Sequence, residues 1–202
     1  METHVRLFVE DALTRIVIEK ILQQTDRNYS VVGFTYLSKY STHSKTADLN
    51  RTLKGNRLYL VVANQSASDH CPAGAIEDLG APLSPNLLYR FAVMEIESWI
   101  MADRENFADY FSVDIRSVPQ LPDEVPKPRE EIVAIARKSR SKSIRDDLIP
   151  RHSSISAKIG PNYGGVLSDF VKQRWNVSNA QKHSPSLKRT CQRLQTFRLK
   201  RV

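Results

Sequence analysis

One stretch decides the fold of this 202-residue chain: Val5-Arg6-Leu7-Phe8-Val9-Glu10-Asp11. Its apolar first half is typical of a buried strand, and the apolar residues after it recur at helical spacing: Leu13, Ile16, Val17, Ile21 and Leu22. The pattern predicts a strand over 5–10 and a helix over 12–24. Because α/β sheets carry their chemistry at the carboxyl ends of strands, Glu10 and Asp11 are candidates to bind a divalent cation or move a proton.

Strand and helix signals continue to alternate over the first hundred residues. The predicted order is a β-rich run at 31–37, a helix near 46–53, a strand at 58–63, a helix near 73–79, and a strand at 87–94 that enters a helix at 95–111. Buried, barely alternating strands joined by helices indicate a mainly parallel sheet. The fold class expected is therefore α/β, with three layers.

The second half of the chain has a different pattern. Prolines at 119, 122, 126 and 128 indicate a linker. Helices are predicted near 129–138, 143–148, 165–175 and 185–197. We therefore expect an α/β domain over 1–118 and a helical carboxyl-terminal extension over 119–202, packed on it and ending in a basic tail.

The net charge of +8 is unevenly distributed, since no acidic residue follows Asp169. The tail instead carries Lys172, Arg174, Lys182, Lys188, Arg189, Arg193, Arg198, Lys200 and Arg201. A second basic run lies at 137–145. Such patches bind polyanions with a strong dependence on salt, although solvated helix faces would have the same composition.

No apolar run approaches the roughly 20 residues of a membrane helix. The residues Met1–His4 also lack the regions of a signal peptide, and two distant cysteines, Cys71 and Cys191, form neither a disulfide framework nor a zinc ligand set. We expect a cytoplasmic protein that does not interact with a membrane.

The order of motifs resembles a family of small bacterial proteins with a TOPRIM-like fold, a domain of unknown function often encoded beside an ATPase of the AAA or ABC type. The resemblance spans nearly the whole chain. It rests on Leu7-Phe8-Val9-Glu10-Asp11, the turn after Val61-Val62-Ala63, the stretch from Arg90 to Trp99 with Asp103, Lys158-Ile159-Gly160-Pro161-Asn162-Tyr163, and Ser184-Pro185-Ser186-Leu187. Its most specific part is the Glu-x-Glu-x-Trp pattern of Glu95, Glu97 and Trp99.

The resemblance implies a particular chemistry. TOPRIM enzymes use a glutamate after the first strand as acid or base, and an Asp-x-Asp pair after a later strand to hold magnesium. Glu10 matches the glutamate, whereas the Asp-x-Asp position falls on Asn64-Gln65-Ser66, which brings no negative charge. Asp69 would replace one ligand if its loop folded back.

Glu95 and Glu97 are further candidate ligands. If the strand through Phe91 and Val93 continues, alternation puts both glutamates on one face. If a helix has begun, the two side chains diverge by about 200° and Glu95 lies on the face of Trp99. A structural alternative has Ile96 and Trp99 in the core, with the acids near a helix amino terminus.

Two functions follow as expectations. The leading one is a Mg²⁺- or Mn²⁺-dependent nuclease-like enzyme that acts with an ATPase partner in defence against foreign nucleic acid, with Glu10, Glu95 and Glu97 as catalytic residues. Its metal ligands would be Glu10, Asp11, Asp69, Glu95 and Glu97, and its nucleic-acid contacts Lys158, Tyr163, Arg174, Lys188, Arg189 and Arg193. The alternative is a catalytically degenerate adaptor that binds nucleic acid or the ATPase.

Overall fold

The computed structural model describes residues 2–53, 55–65, 71–150 and 158–200. The chain forms two compact units, Met1–Ala92 with Arg189–Val202 and Val93–Lys188. The sequence placed its boundary near residue 118 instead. The sheet-bearing unit ends earlier and also includes the end of the chain, where the Tyr29 hydroxyl donates to the carbonyl of Leu194 at 2.6 Å.

The first unit alternates strands and helices, as the sequence predicted. Its elements are β1 (Thr3–Val9), α1 (Ala12–Gln23), β2 (Tyr29–Tyr36), α2 (Thr42–Thr52), β3 (Leu58–Gln65), α3 (Pro72–Glu77) and β4 (Leu87–Val93). The four strands form one parallel sheet in the order β2-β1-β3-β4, which confirms the α/β class.

The strand order reverses between β1 and β3. The chain leaves β1 to form β2 on one side, then crosses to form β3 on the other side. In such sheets the crevice at the carboxyl ends of the two central strands is the usual ligand site. Pairing of Val9 with Val62 brings Glu10 level with the last residues of β3, which include Asn64.

The sheet has a packed layer on each face. Val5, Leu7 and Val9 of β1 are fully buried and alternate with less buried residues, and α1 packs against β1 and β2. A second apolar cluster combines Val61, Tyr89 and Phe91 of the sheet with residues of α2 and α3, among them Leu49, Leu53 and Ile76. Both layers hold the carboxyl ends of the strands in a fixed arrangement.

The second unit is helical in the described residues. It contains α4 (Ile96–Met101), α5 (Arg104–Tyr110), α6 (Pro128–Ala136), α7 (Lys142–Leu148), α8 (Tyr163–Gln173), α9 (Val177–Ala180) and the start of α10 (Pro185–Thr196). Its core includes the stacked rings of Phe107 and Phe111, with Phe170 edge-on to both. The helical carboxyl-terminal part is thus confirmed.

The single helix predicted over 95–111 is two helices, which is a correction. The chain breaks at Asp103, whose Oδ2 accepts hydrogen bonds from the backbone of Asn176 at 2.7 Å and from the Asn106 side chain at 2.8 Å. A fully buried carboxylate needs such partners; Asn106 belongs to α5, whereas Asn176 comes from elsewhere in the unit. The sequence pattern of α4 and α5 alone contains no sign of the contact with Asn176.

Candidate functional site

Glu10 lies at the strand-order reversal of the first unit, directly after β1. Its Oε2 accepts a hydrogen bond from the Asn64 side-chain amide at 2.8 Å, and its Oε1 lies 3.5 Å from the Thr42 hydroxyl. Thr42 begins α2 and Asn64 belongs to β3, so two elements that follow β1 in the chain contribute to the site. The side chain of Glu10 is therefore held in place by neutral donors.

The pKa of Glu10 is raised. Burial is the largest cause and favours the neutral acid, and the charge of Asp11 acts in the same direction. Hydrogen bonds from the side chain and backbone of Asn64, together with the charge of Lys39, lower the pKa without cancelling the effect of burial. A half-buried carboxyl of this kind holds its proton to a higher pH than an exposed one.

Tyr89 is the aromatic neighbour of this site. Burial, and secondarily the negative charge of Glu10, raises its pKa to about 12, so its hydroxyl stays protonated. The effect of Glu10 on Tyr89 indicates that the two groups interact within the same unit. The site therefore combines one carboxyl with amide and hydroxyl groups, and sequence reasoning did not identify Tyr89 as its neighbour.

Asp11 stabilises the first turn of α1. It is the N-cap of α1, and its Oδ1 accepts from the backbone N–H of Thr14 at 2.7 Å. An N-cap carboxylate satisfies an otherwise unpaired amide of the first helical turn. One oxygen of the predicted ligand Asp11 is thus already engaged.

The predicted metal ligands do not form a recognisable set in the part of the chain that the structure describes. Within residues 2–53, 55–65, 71–150 and 158–200, no group of three or more His, Cys, Asp or Glu side chains could hold a metal ion. Asp69 and Ser66 lie outside the described residues. Magnesium or manganese binding stays a prediction.

Glu95 and Glu97 lie in the second unit at the amino terminus of α4, and Ile96 and Trp99 are fully buried, so the structural alternative holds. The backbone at Glu95 is extended and forms the N-cap of α4, and Glu97 belongs to the first turn. Glu97 is fully buried, and its Oε1 accepts from Arg129 Nε at 3.0 Å and lies 3.5 Å from the Tyr163 hydroxyl. The buried Oε2 has no hydrogen-bond partner among the described residues.

The charges of this second carboxyl site are strongly coupled. Burial raises the pKa of Glu97, Arg129 lowers it, and Glu95 raises it again, with a net increase. Burial lowers the pKa of Arg129, but Glu97 reverses the direction. The phenol of Tyr163, also buried, has a pKa well above its ordinary value. Sequence reasoning missed Arg129, because its only signal was one basic residue at the start of a predicted helix.

The predicted nucleic-acid contacts fall into two groups. Tyr163 is buried against Glu97, and Lys158 pairs with Glu130 at 3.3 Å, so both have partners within the protein. Arg174, Lys188, Arg189 and Arg193 are exposed. Over Pro185–Thr196 the tail is the amphipathic helix α10, whose basic residues Lys188, Arg189 and Arg193 are exposed.

Arg189 and Arg193 form a basic cluster with Arg90 of β4. Arg90 Nε donates to the hydroxyl of Thr190 at 3.4 Å. This contact positions the part of α10 that belongs to the first unit, from Arg189 onward, beside β4. The pKa of Arg90 is lowered first by burial and then by the positive charges of Arg189 and Arg193. We call these three residues the basic cluster. The signal for Arg90 was a lone charge inside an apolar strand.

The fold and these contacts define an α/β protein with a carboxyl site at the reversal of its strand order. Comparison of the chain with protein-family models, curated proteins and solved structures found no match. The TOPRIM-like resemblance is accordingly a prediction from the motifs alone. In the described part of the chain, no helix is both long and apolar enough to cross a membrane.

Proposed function

We propose that the protein is a nucleic-acid-binding adaptor built on a TOPRIM-like site that lacks its metal ligands. The observation that carries the proposal is the hydrogen bond from the Asn64 amide to Glu10. Asn64 falls where the resemblance expects the first acid of the Asp-x-Asp pair. An amide N–H directed at the carboxylate occupies an oxygen lone pair that a cation would otherwise use.

Charge supports the same conclusion. Magnesium is held in proteins by carboxylates together with phosphate and water oxygens, and its affinity falls as charged ligands are lost. At this site Glu10 has a raised pKa and Asp11 caps a helix. We therefore expect metal affinity no tighter than the order of millimolar.

The basic cluster supports nucleic acid as the ligand. Arg90, Arg189 and Arg193 are close enough for their charges to act on one another, and the two helical arginines are exposed. Closely spaced guanidinium groups suit successive phosphates, because each contact releases condensed counterions. The ATPase partner and the defence role are expectations of the resemblance, in which the adaptor would connect nucleic acid to the ATPase.

A metal-dependent nuclease is the second candidate, and one observation favours it. The raised pKa of Glu10 brings this carboxyl closer to the range in which a group both accepts and donates protons near neutral pH. For this second candidate, Glu10 would be the general acid or base, and residues that include Asp69 would bind Mg²⁺ or Mn²⁺.

Cleavage assays distinguish the two candidates. Wild type and Glu10→Gln would be incubated with Mg²⁺ or Mn²⁺ and with single-stranded and duplex DNA and RNA. In a separate experiment, relaxation measurements of Mn²⁺ binding to Asn64→Asp would test whether a restored acid increases the affinity for the metal. The adaptor proposal expects binding without cleavage by wild type. Wild-type cleavage that Glu10→Gln abolishes would establish the nuclease instead.

The nucleic-acid ligand is tested by charge removal. Arg189→Gln with Arg193→Gln should weaken binding and reduce the slope of log affinity against log salt by about 1.4–1.8, for two lost phosphate contacts. The matched control is Arg116→Gln with Lys127→Gln, which removes the same charge from exposed positions of the second unit that lie outside both basic runs. Equal loss in both variants would show that only net charge matters and would contradict a defined surface.

A further inference from the structure

A cavity of about 560 Å³ lies in the first unit between α2 and the sheet. It is large enough for a small organic ligand, since such sites measure roughly 300–1,000 Å³. Neither Glu10 nor any residue of the basic cluster lines it. It is therefore distinct from both groups in the proposed function.

One wall of the cavity is apolar and partly aromatic. It includes Phe8 of β1, Tyr36 at the end of β2, and Leu37. Phe8 is stacked on Tyr59, with ring centroids 6.4 Å apart, so its ring orientation is fixed by a neighbour. Tyr36 is 48% exposed and stands at the open side. A flat apolar ligand would bury the surface that these rings expose.

The opposite wall is a polar stripe of α2. Ser41, Lys45, Asp48 and Thr52 all line the cavity, and their spacing of four, three and four residues puts them on one side of the helix. A helix ordinarily turns apolar residues toward its sheet. In α2 that task belongs to Leu49, which packs on the second apolar cluster together with the C-cap residue Leu53, and Leu49 also contributes an apolar contact to the cavity. The polar stripe is left facing open space rather than core.

The stripe carries one positive charge, at Lys45, and one negative charge, at Asp48. Asp48 pairs with Arg51, one helical turn away. Lys45 is exposed, and no ion pair to it occurs within the described residues. The cavity thus presents an aromatic wall, hydroxyl groups opposite it, one ammonium group at Lys45, and the carboxylate of Asp48 that is paired with Arg51.

We propose that this cavity binds a nucleotide, with its base between the Phe8 wall and the α2 stripe and its phosphate at Lys45. An aromatic base has the apolar face that the first wall requires, and its exocyclic amino group can donate to the hydroxyl oxygens of Ser41 and Thr52, whose protons go to backbone carbonyls. The bound group is either a free nucleotide or an unstacked residue of a single strand. The inference is independent of the basic cluster, because mononucleotide binding needs the cavity alone.

The test measures binding of adenosine, adenosine 5′-monophosphate and inorganic phosphate to the full chain by ligand-observed NMR and calorimetry. Adenosine monophosphate should bind most tightly, and phosphate alone should not bind measurably. Lys45→Gln should lower affinity for the monophosphate about threefold to fivefold, in the range of one exposed ion pair, and leave adenosine unchanged. A single-stranded hexanucleotide that displaces the monophosphate would assign the site to an unstacked residue of a strand, and no displacement would assign it to free nucleotide.

Blocking the cavity provides the second variant. Thr52→Trp puts a large ring at its rim and should reduce binding of both adenosine and its monophosphate at least tenfold. Thr196→Trp is the matched control. Thr196, like Thr52, is the exposed last residue of a helix, and the hydroxyl of each threonine donates to the backbone carbonyl four residues earlier. No binding by wild type, phosphate binding as tight as the nucleotide, or equal effects of the two tryptophan variants would overturn the proposal. If Thr52→Trp does not fold, the proposal is tested by Lys45→Gln alone, which should weaken binding of adenosine monophosphate and leave binding of adenosine unchanged.

Discussion

Glu10 and Glu97 were predicted as ligands of the same metal, yet the two units hold them in opposite ways. Glu10 is half-buried at the carboxyl end of the central strand β1 and accepts hydrogen bonds from an amide and a hydroxyl, both neutral. Glu97 is fully buried and pairs with the guanidinium of Arg129. Both follow a buried strand closely in sequence. The partner of a carboxyl, and not its position after a strand, decides what it can do.

The comparison separates a site open to ligands from one that is closed. Neutral donors hold Glu10 in place, and the positive charge of Lys39 offsets its burial only in part, so an added cation would change its environment strongly. A buried ion pair is already compensated, and its main consequence is the cost of breaking it. We therefore expect substitutions at Glu97 and Arg129 to affect stability, and substitutions at Glu10 and Asn64 to affect ligands and protonation.

The largest effect is expected from Arg129→Met, which leaves Glu97 buried without its opposite charge. Loss of one partner of a buried pair costs about 3–5 kcal/mol, and the 41% exposure of the Arg129 side chain reduces the expected cost to about 2–3 kcal/mol. Urea unfolding followed by the fluorescence of Trp99 and Trp175, both buried in this unit, measures it.

Arg116→Met is the matched control for that loss. Arg116 pairs with Asp114 at 2.6 Å, but both side chains are largely exposed, and such pairs contribute little to stability. The free energy of unfolding should therefore stay nearly unchanged. Equal destabilisation by the two variants would show that the burial of Glu97 does not matter and would break the comparison.

A smaller effect is expected from Asn64→Ala. Removing the side-chain donor should raise the pKa of Glu10 further, because that hydrogen bond lowers it. The substitution should lower the free energy of unfolding by about 1 kcal/mol at neutral pH, which is less than the loss expected for a fully buried hydrogen bond to a charged group. The pKa is read from a carboxyl NMR titration, and stability from urea unfolding. In a Glu10→Gln background the same substitution should cost less, and an equal cost would mean that the charge of Glu10 is not the acceptor.

The smallest effect is the pH dependence of stability at Glu97. Its pKa in the fold is raised above the ordinary value of 4.5, so its stabilising contribution is fully present below 4.5 and is lost as the pH rises through the folded pKa. Asp103 has a raised pKa too, so the difference between wild type and Glu97→Gln isolates the contribution of Glu97. That difference should fall with rising pH above 4.5, and a flat difference would contradict the raised pKa.

Local periodicity was sufficient for most of the fold. The predicted strands at 5–10, 58–63 and 87–94 correspond to β1, β3 and β4, and the helix at 12–24 corresponds to α1. These signals lie within one element, where apolar spacing and flanking residues act over a few positions. The position of Glu10 at a strand's carboxyl end followed from the same local pattern.

The partners of the acids were not accessible from such patterns. That the chain becomes helical directly after Glu95 depends on the packing of α4, whose six residues are all buried. Tyr36 and the α2 stripe likewise carry no sign in sequence that they face one cavity. Both depend on contacts between elements, which spacing within an element does not encode.

The sequence by itself determined an α/β chain whose first strand ends in a carboxyl group, and a final helix with basic residues. Only the tertiary structure decided that Glu10 meets Asn64, 54 positions away, and that Glu97 meets Arg129, 32 positions away. The physical reason is range: strand and helix preferences arise between neighbours along the chain, whereas desolvation and charge compensation depend on whichever side chains packing brings together. The chemistry of both carboxyls belongs to that second kind of interaction.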